Sequence, residues 1–225
     1  MSGEVSAERV LEALAQQPRR SPGAGRALML IAGQRRQGVT TLARAVALAA
    51  PGPIVYAIDL DVRRNALARA FSAHERLGAS IDGRIDGEAL VRLAGRNGRP
   101  MQAEAPFGFR RLGQSRVFVS VFKAAPLPED AQVIIDGSAD YWVAARAGGV
   151  TAIVDAPALE RSDIGLRAAR HMDGVVLAVG DGPGAAPAAI AAKQKLLKAG
   201  ANLIGLAYAG EPSLPAMDRL KRHAG

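Results

Sequence analysis

The stretch richest in chemical possibilities is Gly33-Gln-Arg-Arg-Gln-Gly38-Val39-Thr40-Thr41. Gly, four residues, Gly, one residue and Thr is the spacing of a loop that wraps phosphate. The glycines of such a loop let backbone N–H groups converge on phosphate oxygens at a helix N-terminus, and its Thr hydroxyl can hold Mg²⁺. The lysine that would neutralise the outer phosphates is missing, and Val39 stands in its place. Arg35 or Arg36 offers a replacement charge, because a guanidinium pairs well with phosphate. Two consecutive arginines nevertheless crowd a loop that needs small residues. Gly33, Arg35, Arg36, Gly38, Thr40 and Thr41 are therefore the candidate ligand-binding residues.

Carboxylates supply the second half of the chemistry. Ile54-Val-Tyr-Ala-Ile-Asp59-Leu-Asp61-Val-Arg63-Arg64 places two at the end of an apolar run, and Thr151-Ala-Ile-Val-Asp155-Ala-Pro157 places a third at the end of another. A carboxylate in that position can orient a nucleophile or a metal-bound water. Singly, each Asp also suits a strand-ending turn or a helix cap. Together, Asp59, Asp61 and Asp155 are the candidate catalytic groups, with Thr40, Asp59 and Asp155 as the candidate Mg²⁺ set. His74, His171 and His223 have no neighbours at ligand spacing, so no metal site is placed on them.

These residues need elements to hold them. The pattern predicts an amphipathic helix over 5–17, a Pro/Gly linker over 18–25, a buried strand over 27–32, a helix over 40–50 and a strand over 54–58. Strand, glycine turn, helix, strand is a βαβ unit and implies a parallel sheet. The 66–116 region is glycine-rich and carries one short predicted helix, over 86–93. Beyond it the pattern predicts strands over 116–122, 133–135, 151–154, 174–179 and 202–207. Helices are predicted near 138–147, 164–171 and 186–199. Such alternation describes an α/β fold, three layers around a doubly wound, mostly parallel sheet, with its crevice at the C-terminal ends of the strands.

Composition bounds the function. The chain has 225 residues, no cysteine and a formal charge of +8, which fits one domain in a reducing compartment. The N-terminus has no signal-peptide pattern, and no apolar run reaches the ~20 residues of a membrane span. The expectation is a cytoplasmic protein. All of the excess charge falls in residues 1–116, which hold 18 Arg, no Lys and 10 acids. The arginines are scattered and few aromatics lie among them, so nucleic-acid binding is the weaker reading of that charge.

The order of motifs resembles the cytoplasmic ATP-binding domain of bacterial tyrosine kinases of capsular and exopolysaccharide biosynthesis, relatives of the deviant-Walker partitioning ATPases. The stretches that carry the resemblance are Leu28-Met-Leu-Ile, Gly38-Val-Thr-Thr-Leu-Ala, Ile58-Asp-Leu-Asp-Val-Arg-Arg64 (the Walker A′ motif of that family), Ala125-Pro-Leu-Pro128, Ile153-Val-Asp-Ala-Pro157, Ser162-Asp163, Met172-Asp-Gly-Val-Val-Leu177 and Leu197-Lys-Ala-Gly-Ala-Asn-Leu-Ile-Gly-Leu206. They span roughly residues 26–210, read as the P-loop NTPase-like domain between an N-terminal helix and linker (1–25) and a tail (211–225). The Asp-x-Asp-x-Arg-Arg pattern at 59–64 points to the kinase branch.

The departures from the family are specific. Val39 replaces the loop lysine, Arg36 replaces a usual glycine, and the place that reads adenine falls near Ala209. The tail has no tyrosine cluster to autophosphorylate, and Tyr56, Tyr141 and Tyr208 are expected in core packing. Trp142 is read as helix core or interface, and no Glu-x-x-Arg-x-x-Arg oligomerisation pattern is evident.

The resemblance therefore implies a catalytically degenerate kinase-like protein that binds Mg·ATP or Mg·ADP weakly or not at all. It would act as a cytoplasmic partner of a separate inner-membrane polysaccharide co-polymerase, at the membrane periphery, through Arg35–Arg36 and Arg63–Arg64. A weak Mg-ATP-dependent ATPase or kinase of the same pathway and a DNA-associated partitioning relative are the alternatives. A ring or a dimer is left open.

Overall fold

Strands buried on both faces read as unbroken apolar runs, and the chain places such runs where a parallel sheet needs them. The computed structural model describes residues 6–101, 107–123, 127–135 and 138–208. In chain order the elements are α1 (Ala7–Ala15), β1 (Arg26–Ala32), α2 (Val39–Ala49), β2 (Val55–Asp59), α3 (Ala66–Ser72), β3 (Leu77–Asp82), β4 (Arg84–Ile85), β5 (Glu88–Ala89), β6 (Val91–Ala94), β7 (Phe107–Leu112), β8 (Val117–Phe122), β9 (Gln132–Ile135), α4 (Ala139–Ala144), β10 (Thr151–Asp155), α5 (Ile164–Ala169), β11 (Gly174–Val179), α6 (Ala185–Lys198) and β12 (Leu203–Tyr208).

An eight-stranded sheet runs β12-β11-β1-β10-β2-β8-β7-β3. The pairs from β12 to β8 are parallel, and β7 and β3 extend the sheet antiparallel. As the βαβ reading requires, β1, β10 and β2 are adjacent inner strands. The period of two along β1 sorts its side chains to opposite faces. Leu28 and Leu30 join Val10, Leu14, Val46 and Phe71 on the α1–α2–α3 side. Met29 and Ile31 join Trp142, Ile164, Ala192 and Leu196 on the α4–α5–α6 side. The fold is thus three-layered, helices on both faces of a mostly parallel sheet. No helix among the described residues is long and apolar enough to cross a membrane.

The middle of the chain departs from expectation. Where a short helix was expected over 86–93, the backbone makes a β4–β5 hairpin and then strand β6. Asp86 and Gly87 both have positive φ, 49° and 82°. That pairing fits the two-residue turn that joins twisted antiparallel strands, and Asp-Gly is its favoured dipeptide. The expected strand at 133–135 exists as β9, but it pairs antiparallel with β6 in a separate ribbon rather than joining the sheet. Tyrosine roles also diverge: Tyr141 and Trp142 are fully buried, whereas Tyr208 on the edge strand is 47% exposed and does not serve the core.

At the N-terminal ends of the strands, Asp173 anchors the segment that precedes β1. Its buried carboxylate accepts from the Ala27 backbone N–H at 2.6 Å, from Arg146 Nε at 2.7 Å and from Arg20 Nε at 3.1 Å. Arg146 spends its other donors on the carbonyls of Trp142 and His171, and Arg20 donates to those of Arg170 and Met172.

Candidate functional site

The parallel register brings the expected carboxylates together. Asp155 of β10 lies opposite both Leu30 of β1 and Asp59 of β2, so two acids sit side by side at the C-terminal mouth of the sheet. Both are buried, Asp59 to 2% exposure and Asp155 to 5%. Asp59 accepts from the backbone N–H groups of Asp61 (2.8 Å) and Leu67 (3.1 Å), and its own N–H donates to Ser120 Oγ. Asp155 accepts from the Thr40 hydroxyl. Burial in this low-dielectric corner raises both acids, Asp59 to about 6 and Asp155 to about 8. Their mutual repulsion adds to the rise at Asp155, while the backbone donors hold Asp59 lower. They titrate as a pair.

The loop between β1 and α2 closes over them. Gly38 at the helix start has φ 69° and its left-handed backbone calls for glycine. Arg36 adopts φ 61° as well, a conformation that costs an L-residue about 1–2 kcal/mol. At Gly33 the requirement has a different source, because a Cβ there would approach the Ala188 carbonyl oxygen of α6 to 2.8 Å. Packing alone accounts for that glycine. Gln37 is buried and its amide donates to Gln34 at 3.3 Å.

A cavity of about 780 Å³ lies between the loop, the strand ends and the 156–161 segment. Arg35, Arg36, Gly38, Thr40, Thr41, Asp59, Asp61 and Asp155 all line it. Gly33, expected to bind ligand, is not among the lining residues.

Two side chains of this cavity were not visible in the sequence patterns. Glu160 accepts from both the backbone N–H (2.8 Å) and Nε (2.9 Å) of Arg35. Arg161 makes a two-pronged contact with Asp61, Nη2 to Oδ1 at 3.0 Å and Nη1 to Oδ2, while Arg64 approaches the same carboxylate at 3.7 Å. Arg35, expected to replace the lost lysine, is therefore engaged with Glu160, and Asp61 is held by arginines. The sequence signal for this was slight, two adjacent opposite charges five and six residues after Asp155. The place expected to read adenine, near Ala209, and the 211–225 tail lie outside the described residues.

Hard cations take oxygen ligands, and the Thr40 hydroxyl with the Asp155 and Asp59 carboxylates is a fitting partial set. Among the described residues no three His, Cys, Asp or Glu side chains converge on one point, so a cation at this mouth needs further oxygens from a ligand. The cavity thus sets a loop carrying Arg35 and Arg36 against carboxylate and hydroxyl oxygens suited to a cation.

No family model matches the chain, and no curated protein matches it. Among solved structures it is similar to the kinase domain of Escherichia coli tyrosine kinase ETK, with a TM-score of 0.52 over 85% of this chain and 70% of that one, at 17% identity. Likeness at that identity establishes the fold, helices on both faces of a mostly parallel α/β sheet, and fold alone does not carry an activity.

Proposed function

We propose that this chain is a catalytically degenerate relative of the bacterial tyrosine kinases, acting as a cytoplasmic partner or regulator in envelope exopolysaccharide biosynthesis and export. The observation that carries the reading is the state of the β1–α2 loop. It keeps the glycine turn and faces an acidic pair, yet it presents Val39 where a cation should stand, a left-handed arginine at 36, and Arg35 already paired with Glu160. A charge-assisted contact to phosphate contributes roughly 1.5–3 kcal/mol, or about 10- to 150-fold in affinity. Binding of Mg·ATP is accordingly weak and turnover near background.

When bound, Mg²⁺ would neutralise phosphate charge, with Thr40 and Asp155 holding it and Asp59 supporting from the next strand. A weak Mg-ATP-dependent ATPase or kinase is the second reading. It is favoured by the retained Asp59–Asp155 pair, two adjacent carboxylates at strand ends, where such a group can orient a nucleophile or a metal-bound water.

With its chemistry reduced, the protein acts through its surface. Arg36 and Arg63 are exposed beside the mouth and offer positive charge to an acidic segment of a separate inner-membrane polysaccharide co-polymerase or to anionic lipid, attractions that weaken with salt. Isothermal titration with Mg·ATP and Mg·ADP is the primary test, joined by mass spectrometry for phosphotyrosine and a pull-down from detergent-solubilised membranes. Weak or absent binding, no phosphate on Tyr56, Tyr141 or Tyr208, and salt-sensitive capture of a polysaccharide-export protein are expected. Micromolar affinity with turnover would move the assignment to the ATPase, and retention of duplex DNA at physiological salt to a partitioning relative.

A further inference from the structure

The 156–161 segment crosses the mouth of the cavity on main-chain bonds of its own. The N–H of Ala156 donates to Leu30, that of Leu159 to Ala32 and that of Glu160 to Gly33, at 3.0, 2.9 and 3.1 Å. These bonds tie the segment to the end of β1 and to the first residue of the loop. They deliver two adjacent, opposite charges to opposite walls of one cavity. Glu160 reaches the loop, Arg161 reaches Asp61, and both side chains line the space between.

The contact made by Glu160 has the chemistry of a bound anion. One carboxylate oxygen takes a backbone N–H of the loop and the guanidinium of the same residue, Arg35. That is the donor pair a phosphate oxygen would seek there, a main-chain amide beside a positive charge. Arg161 is held by Asp61 through two hydrogen bonds, so the segment is fastened at Asp61 as well as at the loop.

We infer that Glu160 is a tethered internal anion that occupies the loop's mouth-side donors and competes with phosphate-bearing ligands for them. The inference rests on the reading that the loop accepts phosphate. It adds that affinity is limited by an occupant the chain supplies as well as by the missing lysine. The competitor is covalently attached and always present, but its pairing is partly exposed to solvent and therefore of modest strength. An incoming polyphosphate must displace it and then tolerates its charge nearby, so removing the charge helps the ligand twice.

The test is calorimetric titration of the full chain and of Glu160→Gln with Mg·ATP, inorganic pyrophosphate and adenosine. Asp163→Asn is the control, since it removes an equal charge from an exposed carboxylate that does not line the cavity and, among the described residues, pairs with Arg167. Circular dichroism checks that each variant is folded, and Glu160→Ala repeats the measurement should Gln hold the contact as an acceptor. Glu160→Gln is expected to bind Mg·ATP and pyrophosphate about three- to tenfold more tightly than the unaltered chain, with adenosine unchanged and Asp163→Asn indistinguishable from the unaltered chain.

Equal phosphate affinities in all folded variants would overturn the internal-anion inference and leave the phosphate site standing. Equal gains in Glu160→Gln and Asp163→Asn would overturn it too, by reducing the effect to net charge. Absence of phosphate binding in every folded variant would overturn the inference, since Glu160 would have nothing to compete with, and would leave the degenerate-relative reading standing.

Discussion

Buried acids lie at both ends of the same sheet, and the two ends treat them in opposite ways. At the N-terminal ends of the strands, Asp173 is met by the Arg146 and Arg20 guanidiniums and a backbone N–H, so its charge is compensated on every side. At the C-terminal ends, Asp59 and Asp155 sit adjacent, each with neutral donors and with no cation paired to it among the described residues. The first arrangement is a closed structural joint that ties the 18–25 linker to the sheet. The second is an electrostatic debt left open, which a ligand or a cation can settle. Compensation, rather than burial, separates the acid that holds the fold together from the pair that does not.

The sharpest way to break this contrast is Asp173→Ala, which strands the buried Arg146 guanidinium. Removing one partner of a buried pair costs about 3–5 kcal/mol, and urea denaturation should show that loss. A loss under about 1 kcal/mol would mean that the joint is incidental.

Val39→Lys gives the open end the cation it lacks. Mg·ATP affinity by calorimetry should rise about tenfold or more. An unchanged affinity would mean that Arg36 and Glu160 limit the loop rather than the absent ammonium.

Asp155→Asn is expected to stabilise the metal-free protein, by about 1–3 kcal/mol above neutral pH, where one unit of pKa shift corresponds to about 1.4 kcal/mol. Because burial raises the native pKa of Asp155 to about 8, the folded state binds more protons than the unfolded one between about pH 4 and 8. The unaltered protein therefore loses stability as pH rises through that window, and the variant loses less. Thermal melts across the range in chelator measure the difference, and parallel curves would count against an uncompensated pair.

The smallest effect is that of Arg36→Gly, which relieves the left-handed backbone and should raise the melting temperature by the equivalent of up to about 1 kcal/mol.

The βαβ half was legible in the sequence because interior parallel strands are apolar on both faces and end abruptly. Leu28–Ile31 stops at Gly33, Ile58 at Asp59 and Val154 at Asp155. The middle resisted because β3 buries only its first residue well and β7 mixes Phe, Gly and Arg, so neither helical nor strand periodicity emerges. There the informative signal was local, the Asp86-Gly87 dipeptide between Ile85 and Glu88. Within the site, loop and strand-end residues followed from spacing. Glu160 and Arg161 obey no motif, and their role exists only once the segment after β10 folds back across the loop. Asp173 was likewise silent, because nothing in Met172-Asp-Gly signals a guanidinium arriving from 153 residues earlier.

The strand order also sets a timetable for folding. β1 lies between β10 and β11, and its first partner, Thr151 for Arg26, comes 125 residues later in the chain. During synthesis β1 and β2 leave the ribosome as bare apolar segments that must wait for β10 before either gains its central neighbour. The β7–β8 pair needs only nearby residues and can form in the meantime. Closure of so long a loop makes nucleation slow, and the waiting strands are the segments of this chain with the greatest need of protection from aggregation until residue 155 has been made.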